Sequence, residues 1–185
     1  SLRDGRLHVL RVLHIGGNVD YNTGNLDFHG EVTVAGSVVQ GFSVRATGAI
    51  TIAGGVEPGS EIQAGTDLIV GLGIVGRRTR VAAQGQVRAQ FVQEAQVTAG
   101  TCIRLGSHAY QAQLNGGMEV VVGAGSGARG GTLVGGRVLA RQRVEAGVLG
   151  SRVQAPTEIT VGVDADKARD LDRLKEATDL TYVEL

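Results

Sequence analysis

The chain has 185 residues, with 30 glycines, three Tyr, three Phe and no Trp, so its core has to be built from Val, Ile, Leu and Ala. Eighteen basic residues balance eighteen acidic ones, and this balance gives no indication of nucleic-acid binding. The 42% hydrophobic content argues against disorder, and the absence of a long apolar run excludes a transmembrane helix and any direct membrane insertion.

Pairs of aliphatic residues six positions apart recur through most of the chain. The pairs are Leu26/Val32, Val44/Ile50, Ile62/Leu68, Val81/Val87, Val97/Ile103, Leu114/Val120, Val138/Val144 and Val153/Ile159. Six pairs have an alanine two positions after the first member, at Ala46, Ala64, Ala83, Ala99, Ala140 and Ala155. Successive pairs begin 15 to 24 residues apart, and apolar residues alternate with polar ones, which is the period of a β-strand.

A repeat of about 18 residues, made of short strands and tight corners, indicates a β-solenoid. We therefore predict an all-β fold for residues 1–163, a single-stranded parallel β-helix with right-handed winding and three short sides in each coil. The paired residues and the alanines point inward, because a narrow interior favours small side chains. In such a fold Val44, Ile62 and Val97 stack above one another.

Both ends of the chain and one long spacing depart from this repeat. Residues 7–15 alternate less regularly, and we expect an initial strand pair or cap there. The glycine-rich stretch 121–136 lies in the 24-residue spacing, and we interpret it as a loop that bulges from one coil. Residues 164–185 form a separate segment, in which Leu171 and Leu174 lie at helical spacing. A short helix there either folds back over the last coil or begins a coiled coil.

A polar block precedes the first clear repeat, and residues 17–28 read GNVDYNTGNLDF. This block resembles the start of the β-solenoid domain of the flagellar assembly protein A family, in which the pattern GNVDYSTGNIDF is typical. The motif residues shared with that pattern include Asn18, Asp20, Tyr21, Thr23, Gly24, Asn25 and Asp27. The similarity continues through LVGGRVLA (133–140) and VLGSRVQAPTEITVG (148–162) and covers essentially the whole chain.

The resemblance implies a bacterial cytoplasmic protein with a further N-terminal domain and C-terminal helices. It implies a non-enzymatic scaffold that acts in flagellar assembly, or in the polar placement of flagella, through protein partners. No catalytic residue is carried over from the family. A more distant similarity is to the β-helical domain of the cell-division inhibitor MinC, which dimerises and binds a partner ATPase. A division regulator of that kind is the alternative function.

Two enzymatic readings form a second alternative. Some acyltransferases are also 18-residue solenoids that use one histidine as a base, which makes His108 a candidate, and some polysaccharide lyases align aspartates along a solenoid face. The acids here are too scattered to align, and no histidine has a metal-ligand spacing. The motif oxygens at residues 18–27 would suit calcium, but such residues more often bond to nearby backbone and shape turns. We therefore predict structural turn residues and no metal, cofactor or catalytic group.

Two clusters of arginines are the candidate docking sites for a protein partner. Arg77, Arg78 and Arg80 form one basic corner, and Arg137, Arg141 and Arg143 form another. Arginine favours the recognition of carboxylates at interfaces, so an acidic partner surface is expected. The open end of a solenoid and the apolar stripe of the predicted helix also favour self-association, and we expect a homodimer.

Overall fold

The structure is a computed structural model that describes residues 11–124, 130–150 and 155–162, together with the backbone of residues 2–3 and 6–7. Regular structure in these residues is entirely β. The predicted helix, in residues 164–185, lies outside the described residues.

Short strands account for nearly all of the regular structure. In chain order they are β1 Leu2–Arg3, β2 Arg6–Leu7, β3 Val12–Ile15, β4 Leu26–Phe28, β5 Glu31–Val34, β6 Ser43–Ala46, β7 Ile50–Ile52, β8 Glu61–Ala64, β9 Leu68–Val70, β10 Gly73–Val75, β11 Arg80–Ala83, β12 Val87–Gln93, β13 Gln96–Ala99, β14 Cys102–Gly116, β15 Glu119–Val122, β16 Thr132–Ala140, β17 Arg143–Ala146, β18 Val148–Leu149 and β19 Thr157–Val161. Strands β1 and β2 form an antiparallel pair, whereas the pairings from β3 to β19 are parallel and connect successive coils.

The coils have three sides, which we number in chain order. Side 1 stacks the residues Leu13, Val32, Ile50, Leu68, Val87, Ile103, Val120 and Val144. Side 2 stacks Val19, Val38, Val56, Ile74, Val92, Ala109, Leu133 and Leu149. Side 3 stacks Leu26, Val44, Ile62, Val81, Val97, Leu114, Val138 and Ile159.

This register confirms the predicted solenoid. Val44 pairs with Ile62, and Val81 lies between Ile62 and Val97 in the same row. The eight levels of side 3 span about 34 Å at ~4.8 Å per parallel strand. Right-handed winding stays a prediction.

The core is a continuous column along the axis of the stack. Val44, Ile62 and Val97 each expose 1% or less of their surface, and the predicted alanine row of side 3 is buried beside them. That row runs through Ala46, Ala64, Ala83, Ala99, Gly116 and Ala140. Small residues there leave room for the larger side chains of side 1, such as Ile52 and Leu105, which are fully buried in the same cluster.

Two boundaries differ from the sequence-based expectation. Ile159 was paired with Val153 as a side 1 residue, but it stacks on Val138 in side 3, and Val161 rather than Ala155 continues the alanine row. The reason is that the last coil is longer than its predecessors. The bulging loop is also narrower than 121–136, because Val121 and Val122 belong to β15 and residues 132–136 belong to β16. The extra chain lies between Val122 and Thr132.

The first coil begins earlier than expected. Of the residues 7–15, Leu7 belongs to the strand pair β1–β2, but Val12–Ile15 is already a full strand of the solenoid and pairs with β5.

Candidate functional site

The predicted motif block forms the corner between sides 2 and 3 of the first coil. The Oδ1 atom of Asp20 accepts hydrogen bonds from the backbone N–H of Asn22 at 2.8 Å and of Thr23 at 3.4 Å. The hydroxyl of Thr23 donates to the carbonyl of Asn18 at 2.9 Å, and Gly24 has a φ of 72°. These oxygens therefore serve the backbone of a tight turn, and they do not converge on a common point as metal ligands would.

Other motif side chains tie this corner to the second coil. Asn18 and Asn25 accept hydrogen bonds from the backbone N–H groups of Ser37 and Ser43, each at 2.9 Å. The Tyr21 ring is 92% exposed and meets the Phe42 ring edge-on, with 5.1 Å between ring centroids. Asp27 lies on side 3 and lines an open groove of about 480 Å³ there. Groups of three or more His, Cys, Asp or Glu that could hold a metal do not occur in the described part of the chain.

The first arginine cluster lies at a corner between sides 2 and 3. Arg77 forms an ion pair with Glu94 of the next coil at 3.1 Å, while Arg78 and Arg80 are exposed. The corner is held from inside by Thr79, which is fully buried and donates its hydroxyl to the carbonyl of Val75 at 2.6 Å. The cluster therefore stands on a rigid turn, and one of its three charges is already compensated.

The second arginine cluster is spread over two sides. Arg137 lies on side 3 and pairs with Glu158 at 3.4 Å. Arg143 lies on side 1 and pairs with Glu119 at 2.9 Å and with Glu145 at 3.3 Å. Arg141 lies between them at the end of that coil and is exposed. The structure thus separates residues that are close in sequence.

Glu119 is the centre of the best-defined charge network. It accepts hydrogen bonds at 2.9 Å from Arg104 of the coil before and from Arg143 of the coil after. The bonds from Arg143 and Arg104 hold the pKa of Glu119 below its ordinary value. Hydrogen bonds with Cys102 and Glu119 raise the pKa of Arg104. The network ties three coils together along side 1.

His108 is part of an aromatic stack and does not form a catalytic group with its neighbours. Its ring lies parallel to that of Phe91, with centroids 5.0 Å apart, and the Phe91 ring covers Gly73 of the preceding coil. The Nδ1 atom of His108 is 3.0 Å from the hydroxyl of Ser107, which itself donates to the carbonyl of Gln90 at 3.0 Å. The Ser107 proton is thus already used by the backbone.

Sequence analysis missed this stack and a second feature, the pair Arg88 and Arg104 on side 1. Both pairs join residues 16 or 17 positions apart that the register places directly above one another. The signal was present as the coil spacing, but arginines were grouped by proximity in sequence. Arg88 and Arg104 line an open groove of about 460 Å³.

The fold and its surface define a class, a parallel β-solenoid whose outer sides carry stacked polar residues and shallow open grooves. A membrane-spanning helix is not found in the part of the chain that the structure describes. Comparison with protein families matches residues 11–185 to the Flagellar Assembly Protein A beta solenoid domain. The chain therefore belongs to this family, as its motif block indicated. Searches of curated proteins and of solved structures each found no match.

Proposed function

We propose that this domain is a non-enzymatic scaffold that binds protein partners in flagellar assembly or in the polar placement of flagella. The observation that carries the proposal is the regular solenoid of a flagellar assembly family, with outer sides that present stacked polar side chains. Shallow grooves on these sides suit extended protein segments better than small substrates, which are bound in more enclosed clefts. Function is argued here from surfaces, since the fold alone does not determine it.

We also propose that the scaffold works in the cytoplasm as a homodimer, with residues 1–163 as the solenoid unit and 164–185 as a separate helical segment. Self-association is supported by the last described coil, where Val148, Leu149 and Val161 expose 50%, 59% and 46% of their surfaces. The arginines with exposed and uncompensated charge, Arg78 and Arg80, remain the favoured docking residues of the first cluster.

Photo-cross-linking in a flagellated bacterium that produces the whole protein tests this function. A photoreactive residue is placed at Gln63, Ile69 or Tyr110, which are exposed on sides 3, 1 and 2. We expect at least one side to capture a flagellar or polarity protein, with the other sides as matched controls. Capture of a division ATPase instead would support the MinC-like alternative. Failure of every side to capture a protein would contradict the scaffold.

A direct binding experiment tests the enzymatic alternative. Calorimetry with acyl-coenzyme A is expected to show no saturable binding. Saturable micromolar binding that is lost in His108→Ala would contradict the proposal, because it would assign His108 to an acyltransferase site.

A further inference from the structure

The groove on side 1 combines features that the charge networks elsewhere on the solenoid lack. Three successive coils form it, with Gly71 in the first, Arg88 and Gln90 in the second, and Arg104 in the third. The parallel register places Arg88 next to Arg104 and next to Ile69 on its other side. Its volume of about 460 Å³ falls within the range of ligand-binding clefts, roughly 300–1,000 Å³.

The positive charge of this groove is only partly compensated. Arg104 shares its one carboxylate partner, Glu119, with Arg143. Its Nε atom is buried and has no hydrogen-bond partner in the described structure. Arg88 is exposed and has no carboxylate partner among the described residues. Like charges on directly opposed strand positions repel each other, so a bound carboxylate would relieve this pair.

Two apolar side chains lie on the coil that precedes the arginines. Ile69 exposes 41% of its surface and Leu72 exposes 57%. Leu72 is at the corner between sides 1 and 2, where its carbonyl accepts a hydrogen bond from the backbone of Gln90 at 2.8 Å. Fixed apolar contacts beside fixed guanidinium groups are typical of surfaces that bind protein segments, in which buried anchors supply affinity and charges supply specificity.

We propose that this groove binds an extended segment of a partner protein in which acidic residues alternate with aliphatic ones. Carboxylates of the segment pair with Arg88 and with the unsatisfied edge of Arg104, and its aliphatic side chains pack on Ile69 and Leu72. Arginine suits this role because its planar group binds carboxylates through two parallel hydrogen bonds. The assignment rests on the proposed scaffold function and names one side of the solenoid as the docking side.

A protein segment fits the groove better than a nucleic acid does. Nucleic-acid sites are extended basic stripes, whereas three guanidinium groups at Arg88, Arg104 and Arg143 face two carboxylates at Glu119 and Glu145 here. The exposed Ile69 and Leu72 would gain nothing from a phosphate backbone.

Fluorescence anisotropy with defined peptides and the whole 185-residue chain tests the assignment. The probe is a labelled peptide of alternating glutamate and leucine, and the control peptide has glutamine in place of glutamate. We expect the acidic peptide to bind at least tenfold more tightly than the control peptide, with an affinity that falls as salt is added. Arg88→Ser and Leu72→Ser should each weaken binding at least fivefold.

Arg78→Ser is the matched control, because it removes an exposed arginine at a distant corner and should leave the affinity unchanged. Equal binding of the two peptides, no binding of the acidic peptide, or unchanged affinity in Arg88→Ser would overturn the proposal. Tighter binding of a single-stranded oligonucleotide that competes for Arg88 would also overturn it. If the groove fails while photo-cross-linking still captures flagellar proteins, the scaffold function stands and uses another side.

Discussion

At the scale of single residues, one corner between sides 2 and 3 shows how backbone conformation repeats from coil to coil. Gly76, Glu94, Gln111 and Gly135 follow one another in successive coils with φ values of 106°, 53°, 45° and 65°. Glycine adopts this left-handed conformation without strain, whereas residues with a Cβ atom do so at a cost. Glu94 and Gln111 are therefore strained positions in an otherwise regular corner.

Replacing Gln111 by glycine should stabilise the protein. We expect Gln111→Gly to raise the free energy of unfolding by about 0.5–1 kcal/mol, because it removes the left-handed strain. Gln113→Gly, two residues further along the same strand, is the matched control and should lower stability by a similar amount, since glycine weakens a strand interior. Chemical denaturation of both variants measures the difference, and a destabilised Gln111→Gly would refute the strained corner.

The network around Glu119 predicts a pH dependence of stability. Its folded-state pKa is lowered by Arg143 and Arg104, so the network stabilises the fold above the ordinary glutamate pKa, about 4.3, and this contribution is lost as the pH falls through the folded-state pKa. The difference in unfolding free energy between the native chain and Glu119→Gln should be constant near neutral pH and shrink in acid. A difference that instead grew in acid would contradict this sign.

At the scale of elements, the contact between neighbouring coils depends on where a side chain is absent. The Phe91 ring of β12 covers Gly73 of β10, and a Cβ atom at Gly73 would overlap that ring. His108 then stacks on the other face of the ring. The spacing of coils therefore requires glycine at this level of side 2.

A double-mutant cycle tests this contact. Gly73→Ala should destabilise the protein by roughly 1–3 kcal/mol, because it overpacks a closely packed contact. In a Phe91→Ala background the same substitution should cost less than about 0.5 kcal/mol, since the overlap is gone. Thermal or chemical unfolding of the four chains supplies the cycle. Equal costs in the two backgrounds would mean that the ring does not limit position 73.

Sequence reasoning predicted sides 1 and 3 because each has two inward residues separated by one outward residue, as in Val44 and Ala46 or Ile50 and Ile52. Side 2 was not identified because it has a single inward row, and an isolated residue such as Val38 or Val56 forms only a bridge. Ile159 was misplaced because the pair pattern does not reveal which coil is longer. Spacing alone could not distinguish an inserted corner from a shortened side.

The candidate sites were less predictable than the fold. The turn that Asp20 and Thr23 form follows from local chemistry, because these residues bond to backbone within three to five positions. The pairing of Arg77 with Glu94, or of Arg104 with Glu119, depends on the coil register, which varies between 16 and 24 residues along side 3. A sequence grouped by proximity cannot assign these partners.

At the scale of the whole molecule, the account requires that outward residues of successive coils lie directly above one another. Gln96 and Gln113 are register partners on side 3, and Gln113 in turn pairs with Arg137. Adjacent positions are therefore ~4.8 Å apart, within the range of Cα–Cα distances that a disulfide spans, whereas Gln96 and Arg137 are about twice as far apart. This difference can be measured directly.

Cysteine cross-linking along side 3, in a chain that carries Cys102→Ser, is the most direct test of the stacked coils. The account predicts rapid disulfide formation on mild oxidation when Gln96→Cys is combined with Gln113→Cys, and little when it is combined with Arg137→Cys. Gln96→Cys with Tyr110→Cys should also fail, although these positions are closer in sequence, because Tyr110 lies on side 2. Cross-linking that followed sequence separation, or that favoured the Arg137 pair, would contradict the solenoid.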